Sequence, residues 1–160
     1  MHPHLIDFEL DFDRKKLLEE ANDPSGYETF VDPKTKLSIE GWFIKKIGKG
    51  YGLEISNFFK KYFQLKDCRP RFYIQEPGVN INFHIDRGTL CSFNFLLSDT
   101  PDPITFRSGE VFYTTALLNT SVEHAVLATK NKRILYKISV FDKTFEEVKN
   151  TLPLRFPIIF

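Results

Sequence analysis

His84, Asp86 and His124 are the residues whose types could do chemistry together, and Arg133 follows soon after them. Two imidazoles and one carboxylate can hold a metal on one face and leave coordination positions open. That ligand set serves non-heme Fe(II) oxygen chemistry, with the iron centre itself as the catalytic group. A cation close by suits a dicarboxylate co-substrate. The chain has four histidines. The other two, His2 and His4, lie in the first few residues, where chain ends are commonly disordered.

The elements around these residues must bring them together. Residues two apart in a strand face the same way. A strand over Asn80–Asp86, opened by the Glu76-Pro77-Gly78 turn, therefore points Asn82, His84 and Asp86 into one cavity. Val122–Leu127 reads as a distant strand that carries His124 to the opposite side of a closed or folded-over sheet. Arg133–Phe141 reads as another, with Arg133 and Leu135 on one face. An inward Arg among Ile, Leu and Val is costly unless an anion meets it. The 5-carboxylate of 2-oxoglutarate is such an anion. A surface Arg after Lys130-Asn131-Lys132, or an internal salt bridge, accounts for Arg133 taken alone. A lone His-x-Asp also arises by chance. The joint order is more specific: turn glycine, His-x-Asp on a strand, a later His on a strand, then an Arg opening the next.

Arg71–Gln75, Thr89–Leu97, Ile104–Phe106 and Val111–Tyr113 add further short strands between turn residues. This predicts a mainly β protein with flanking helices, built as a sandwich, jelly roll or barrel. Upstream, Leu5–Phe12 alternates as a strand with Phe8, Leu10 and Phe12 on one face. Asp13 is placed to cap a helix over Arg14–Ala21. Residues 27–40 are rich in turn formers, and Gly41–Ile44 is a short strand or buried crossing. Ile55–Leu65 has helical apolar spacing, with Lys60 and Lys61 on its outer side. Thr144 and Glu147 form a capping box for a last helix, and Leu152–Phe160 packs as an extended tail. The expected organisation is one domain over 1–160. It comprises an N-terminal strand and support helices (1–68), a β core (69–142), and a C-terminal helix and tail (143–160).

Composition narrows the partners. The formal net charge is +1 and 15% of the residues are aromatic, with 17 Phe. Nothing points to nucleic acid, and Lys45-Lys46 and Lys60-Lys61 are expected to be solvated faces. The Phe load suits strands whose inward faces pack rings. No run approaches a membrane span. The N-terminus has neither the basic region nor the apolar stretch of a signal peptide. Cys68 and Cys91 lack CxxC spacing and are expected as unpaired thiols in a reducing, cytoplasmic compartment.

The segment Pro70-Arg71-Phe72-Tyr73-Ile74-Gln75-Glu76-Pro77-Gly78-Val79-Asn80-Ile81-Asn82-Phe83-His84-Ile85-Asp86 resembles the opening of the double-stranded β-helix in aspartyl/asparaginyl β-hydroxylase-like dioxygenases. Gly109-Glu110-Val111-Phe112-Tyr113 and Asn119-Thr120-Ser121-Val122-Glu123-His124-Ala125-Val126 resemble a later segment of the same family. The resemblance covers roughly residues 69 to 142. It implies a jelly-roll, cupin-like double-stranded β-helix. It also implies Fe(II)- and 2-oxoglutarate-dependent chemistry with O2. The co-substrate is split to succinate and CO2, and a ferryl oxygen hydroxylates an unactivated C–H bond. In that scheme His84, Asp86 and His124 hold iron and Arg133 holds the distal carboxylate. Related halogenases replace the carboxylate ligand with a small residue. Asp86 is kept here, which favours hydroxylation.

The chain departs from the family in places. Where some members hold the 1-carboxylate of 2-oxoglutarate with Arg and His, this strand reads Cys91-Ser92-Phe93-Asn94-Phe95-Leu96-Leu97. Asn94 is the candidate replacement, with Ser92 beside it. Two polar residues on the outer face of an edge strand fit equally well. Asn119-Thr120 replaces the family's acidic pair. Arg71 and Tyr73 share a face and could reach co-substrate or substrate, or be a surface Arg and a packed Tyr. Family members act on peptidyl side chains, free amino acids and lipid-linked groups. A small molecule or short peptide is expected here, with residues 26–54, 98–108 and the tail shaping specificity. Two other readings remain open. A cupin-like metal barrel fits the Gly78–His84 spacing. It usually has His where Asp86 stands, however, and an acidic ligand soon after, whereas no acid follows Asp86 until Asp99. A metal-free β-sandwich binding module would leave the triad as unrelated surface residues.

Overall fold

The computed structural model describes residues 2–100 and 102–159. A seven-stranded sheet runs in the order β1 (Leu5–Asp7), β10 (Thr115–Leu118), β7 (Cys91–Leu96), β12 (Arg133–Val140), β5 (Cys68–Gln75), β4 (Ser38–Lys46) and β3 (Tyr27–Val31). A smaller sheet orders β6 (Ile81–His84), β11 (His124–Val126), β8 (Ile104–Phe106) and β9 (Gly109–Val111). The tail strand β13 (Arg155–Ile159) pairs parallel with β2 (Glu9–Asp11). Three helices complete the fold: α1 (Arg14–Asn22), α2 (Tyr51–Tyr62) and α3 (Phe145–Lys149). The fold is the expected mainly β jelly roll of double-stranded β-helix type.

Period-two alternation divides the labour of the large sheet. Phe93 and Phe95 of β7 and Tyr136, Ile138 and Val140 of β12 point to the helices and are fully buried. Ile55 and Phe59 of α2 and Leu17 and Ala21 of α1 meet them there. Much of the aromatic load therefore lies between helices and sheet, on strand faces that pack rings as expected, while Phe30, Trp42 and Tyr73 line the cavity. Phe59 sits 4.5 Å from Phe93, and Phe8 and Phe156 join the same ring cluster. The opposite face of the same strands carries Ser92, Asn94, Arg133, Leu135, Lys137 and Ser139. All of these but Ser92 line a cavity of about 480 Å³ toward the smaller sheet.

Several local features follow from the sequence, with instructive differences. Asp13 caps α1, its carboxylate accepting from the Lys16 backbone N–H at 3.0 Å. Thr144 and Glu147 form the capping box of α3. The alternating Leu5–Phe12 run is two strands. It breaks at Phe8, β1 joining the large sheet and β2 the tail. Residues 27–40 hold most of a hairpin: Asp32 accepts from the Lys34 and Thr35 backbone N–H groups and turns the chain from β3 into β4. Strand β10 was invisible to alternation because Ala116, Leu117 and Leu118 are buried on both faces. Helix α2 begins earlier than its apolar spacing suggests. Gly50 supplies the backbone conformation (φ 86°) and no side-chain cap, while Glu20 of α1 accepts from the N–H groups of Tyr51 (2.6 Å) and Gly52 (3.0 Å). A Cβ at Gly50 would stand 2.7 Å from Glu20 Oε2, so only glycine leaves room for this borrowed cap. His2 and His4 are ordered against Phe106 rather than loose. The tail is extended from Arg155, as expected, while its last residue, Phe160, lies outside the described residues.

Candidate metal centre

His84 closes β6 and His124 opens β11. Antiparallel pairing sets them directly opposite, with ring centroids 4.5 Å apart. Asp86 arrives differently from expectation. Strand β6 ends at His84, so alternation does not place Asp86. The following loop does, anchored by the Asp86 backbone N–H on the Thr120 carbonyl at 3.2 Å. Asp86 Oδ1 then lies 3.2 Å from His84 Nε2 and 3.1 Å from His124 Nε2. Each ring's other nitrogen bonds a carbonyl two residues back: His84 Nδ1 to Asn82 at 2.7 Å, His124 Nδ1 to Val122 at 2.8 Å. Such contacts fix ring orientation and leave Nε2 as the ligating atom. The three donor atoms lie within 4.8 Å of one another, and the donor set fits a divalent metal held on one face.

Lys137 completes this cluster and was missed from sequence. Its ammonium donates to Asp86 Oδ2 at 2.5 Å. The signal was available: Arg133, Leu135 and Lys137 share one register on β12. Burial pushes the Asp86 carboxyl up, but Lys137 and the two imidazoles outweigh it and hold it well below the usual carboxylate range. Burial disfavours charge on Lys137, yet the facing Asp86 raises its pKa. Burial likewise opposes the His84 imidazolium, and the Asp86 and Asn82 hydrogen bonds raise its pKa above the ordinary histidine value.

Arg133 occupies another part of the cavity and is 4% exposed. It is no surface residue, and none of the ion pairs among the described residues includes it. Its Nη2 donates to the Tyr113 hydroxyl at 3.0 Å, and its Nε has no hydrogen-bond partner. Tyr113, the second residue missed from sequence, also accepts from Asn94 Nδ2 at 3.1 Å. Asn94 Oδ1 in turn accepts from Ser92 at 2.7 Å. With both lone pairs used, the Tyr113 hydroxyl retains its own proton for an acceptor. Ser92 and Asn94 are buried on a strand between β10 and β12, which excludes the edge-strand alternative. Tyr73 is buried beneath the Lys137 ammonium, 5.7 Å from its ring centroid, and Arg71 lines the cavity beside it. Asn82 is exposed. It serves His84 through its carbonyl, while its side chain bonds Asn80.

No family model matches the sequence, and no curated protein matches it. Similarity emerges in three dimensions. A Trichoplax adhaerens prolyl hydroxylase, solved with a hypoxia inducible factor peptide fragment, superposes with a TM-score of 0.68 at 12% identity, covering 93% of this chain and 86% of that one. A Pseudomonas putida prolyl-4-hydroxylase gives 0.59 at 16% identity over 81% and 86%. A Burkholderia pseudomallei 2OG-Fe(II) oxygenase family protein gives 0.56 at 12% over 88% and 85%. At these identities the shared property is the fold. The chain shares a double-stranded β-helix fold with these proteins and carries a His-Asp-His cluster that could hold a metal.

Proposed function

We propose that this protein is an Fe(II)- and 2-oxoglutarate-dependent dioxygenase that hydroxylates an unactivated C–H bond of an amino acid or peptidyl side chain. The observation that carries the proposal is the buried Arg133. Its charge has no carboxylate partner, and it lines the same cavity as three converging metal donors. A metal barrel without an anionic co-substrate leaves that charge unexplained, because burying an unpaired cation is strongly unfavourable. The aspartyl/asparaginyl β-hydroxylase-like assignment rests on the motifs around His84 and His124. The peptide bound to the Trichoplax neighbour supports a peptide substrate, and the two free thiols fit a cytoplasmic setting.

In this reading His84, Asp86 and His124 hold iron, which together with 2-oxoglutarate and O2 supplies the oxidising chemistry. The chain's own residues do the rest. The Asn82 and Val122 carbonyls hold the two imidazoles so that Nε2 faces the metal. Lys137 holds the second oxygen of Asp86, so that Oδ1, beside the two imidazoles, would be the oxygen offered to the metal. Arg133 and the Tyr113 hydroxyl take the distal carboxylate, and Ser92 and Asn94 hold Tyr113 in place. Tyr73 closes the cavity floor beneath Lys137. The test is an anaerobic titration of metal-free protein with Fe(II) and 2-oxoglutarate. A visible charge-transfer band that needs both additions, and is absent in His124→Ala, is the expected result. Absence of the band in folded protein at saturating additions overturns the proposal.

A further inference from the structure

Strand pairing places Arg71 of β5 directly opposite Lys137 of β12, and Lys137 directly opposite Asn94 of β7. Lys46 of β4 faces Arg71 from the other side. Arg71 and Lys137 thus stand side by side in the cavity lining, and exposed Lys46 continues the same cross-strand row beyond it. Like charges directly opposite one another destabilise a sheet. Asp86 answers one of them, Lys137. Arg71 is half-buried in the cavity wall and makes no hydrogen bond or ion pair among the described residues. A divalent metal on the triad would draw on the Asp86 charge. Arg133 would absorb one end of the co-substrate. The row would still carry uncompensated positive charge beside the reacting centre.

Next to Arg71 the same face turns aromatic. Tyr73 stacks on Trp42 with centroids 6.0 Å apart, and Trp42 lies on Phe30 at 4.1 Å. All three rings line the cavity. A guanidinium fork at the foot of an aromatic wall matches a carboxylate carried on a flat apolar body. We infer that Arg71, backed by Lys137, binds a carboxylate of the substrate, with the Phe30–Trp42–Tyr73 wall receiving its apolar part. The substrate class is then an aryl or apolar organic acid, free or at the end of a peptide. This rests on the proposed oxygenase reading only for the role of the bound molecule, not for its recognition.

Trp42 is the chain's one tryptophan and sits in the wall, so its fluorescence reports occupancy directly. Protein loaded with Mn(II) and 2-oxoglutarate under argon is titrated with 3-phenylpropanoate and with 3-phenylpropanamide. The acid is expected to bind about tenfold or more tightly than the amide, the scale of a charge-assisted hydrogen-bond pair. Arg71→Gln should abolish that preference while leaving 2-oxoglutarate affinity unchanged, and Arg71→Lys should retain part of it. An acetylated peptide ending in phenylalanine, against its C-terminal amide, separates a chain end from a free acid. A carboxylate preference in either pair supports the subsite. Equal affinities for acid and amide, no saturable response, or a preference that survives Arg71→Gln would overturn it. So would Arg71→Gln weakening 2-oxoglutarate itself, which would assign Arg71 to the co-substrate. Repeating the pair without metal or 2-oxoglutarate keeps the two readings apart. A persistent Arg71-dependent preference in protein that binds no 2-oxoglutarate sustains the subsite and defeats the oxygenase.

Discussion

Replacing Arg133 with methionine should make the metal-free protein no less stable while nearly abolishing co-substrate binding. The two effects come from one fact. The guanidinium is 4% exposed, has one neutral partner at 3.0 Å, and has no carboxylate. Replacing buried ionic groups with packed apolar ones of similar volume is commonly neutral or stabilising by about 1–4 kcal/mol. Against this stands the loss of one hydrogen bond to Tyr113, about 1 kcal/mol. For a chain of this size, 1 kcal/mol moves Tm by about 2–4 °C. Thermal unfolding of the variant should therefore fall between unchanged and several degrees higher. On the proposed function, 2-oxoglutarate supplies the missing anion in the wild type. Truncating one partner of a buried charge pair costs about 2–5 kcal/mol, which is a loss of roughly thirtyfold to several thousandfold in affinity. The assay is paired: Tm of both proteins with and without Mn(II), then calorimetric titration with 2-oxoglutarate. Metal affinity should be unchanged. A variant destabilised by more than about 2 kcal/mol with 2-oxoglutarate affinity intact would refute the reasoning, because Arg133 would then be a structural arginine.

Metal and proton compete for His84, whose pKa is raised mainly against burial by Asp86. In metal-free protein the His84 contribution to stability is full below its unfolded value of about 6.5 and fades as pH climbs through the higher folded value. Metal affinity should rise over that same window, so Tm against pH should slope down without Mn(II) and gain progressively with it; parallel curves would contradict the site. Glu20→Ala removes the borrowed cap of α2, two charged hydrogen bonds, and should cost about 1–3 kcal/mol in chemical denaturation, whereas a change below about 0.3 kcal/mol would show water replacing it equally well. Burial pushes the Cys91 thiol up to about 12 and raises Cys68 as well. Native protein at pH 8 should therefore react slowly with a thiol reagent, and denatured protein should release two equivalents at once. Rapid labelling of Cys91 in the folded state would show that its contact with the Lys143 carbonyl opens.

The fold and the approach of His84 to His124 were legible because strand patterns and local turn signals carry them. Strand periodicity survives in β5, β7 and β12, where one face meets the helices and the other the cavity. Asp13 and Thr144 cap helices within their own segments. Features that depend on distant partners were not legible. Helix α2 starts at a glycine whose cap comes from α1, and β10 shows no alternation because both its faces are buried. Asp86 was rightly paired with His84 for an incomplete reason, since a loop tied to Thr120 and not strand alternation delivers it.

The same distinction separates the site residues. Arg133 taken alone reads as a surface residue beside Lys130 and Lys132; the order of the motifs marks it, and burial without a carboxylate partner among the described residues sets it apart. Tyr113 ends a segment that resembles the family but was given no role there, and its place in the site follows from accepting two hydrogen bonds at once. Lys137 shares the register of Arg133, so strand parity alone would have marked it as inward. A second inward cation on one strand demands a second anion. Asp86 answers Lys137, and Arg71 in the adjoining strand repeats the demand with no acid to meet it. Within the cavity Arg71 stands at the register step of Lys137 and Asp86, while Arg133 stands farther along β12, two cations without a carboxylate among the described residues. That register separates what would bind at Arg133 from what would bind at Arg71, as the proposed chemistry on two different acids requires.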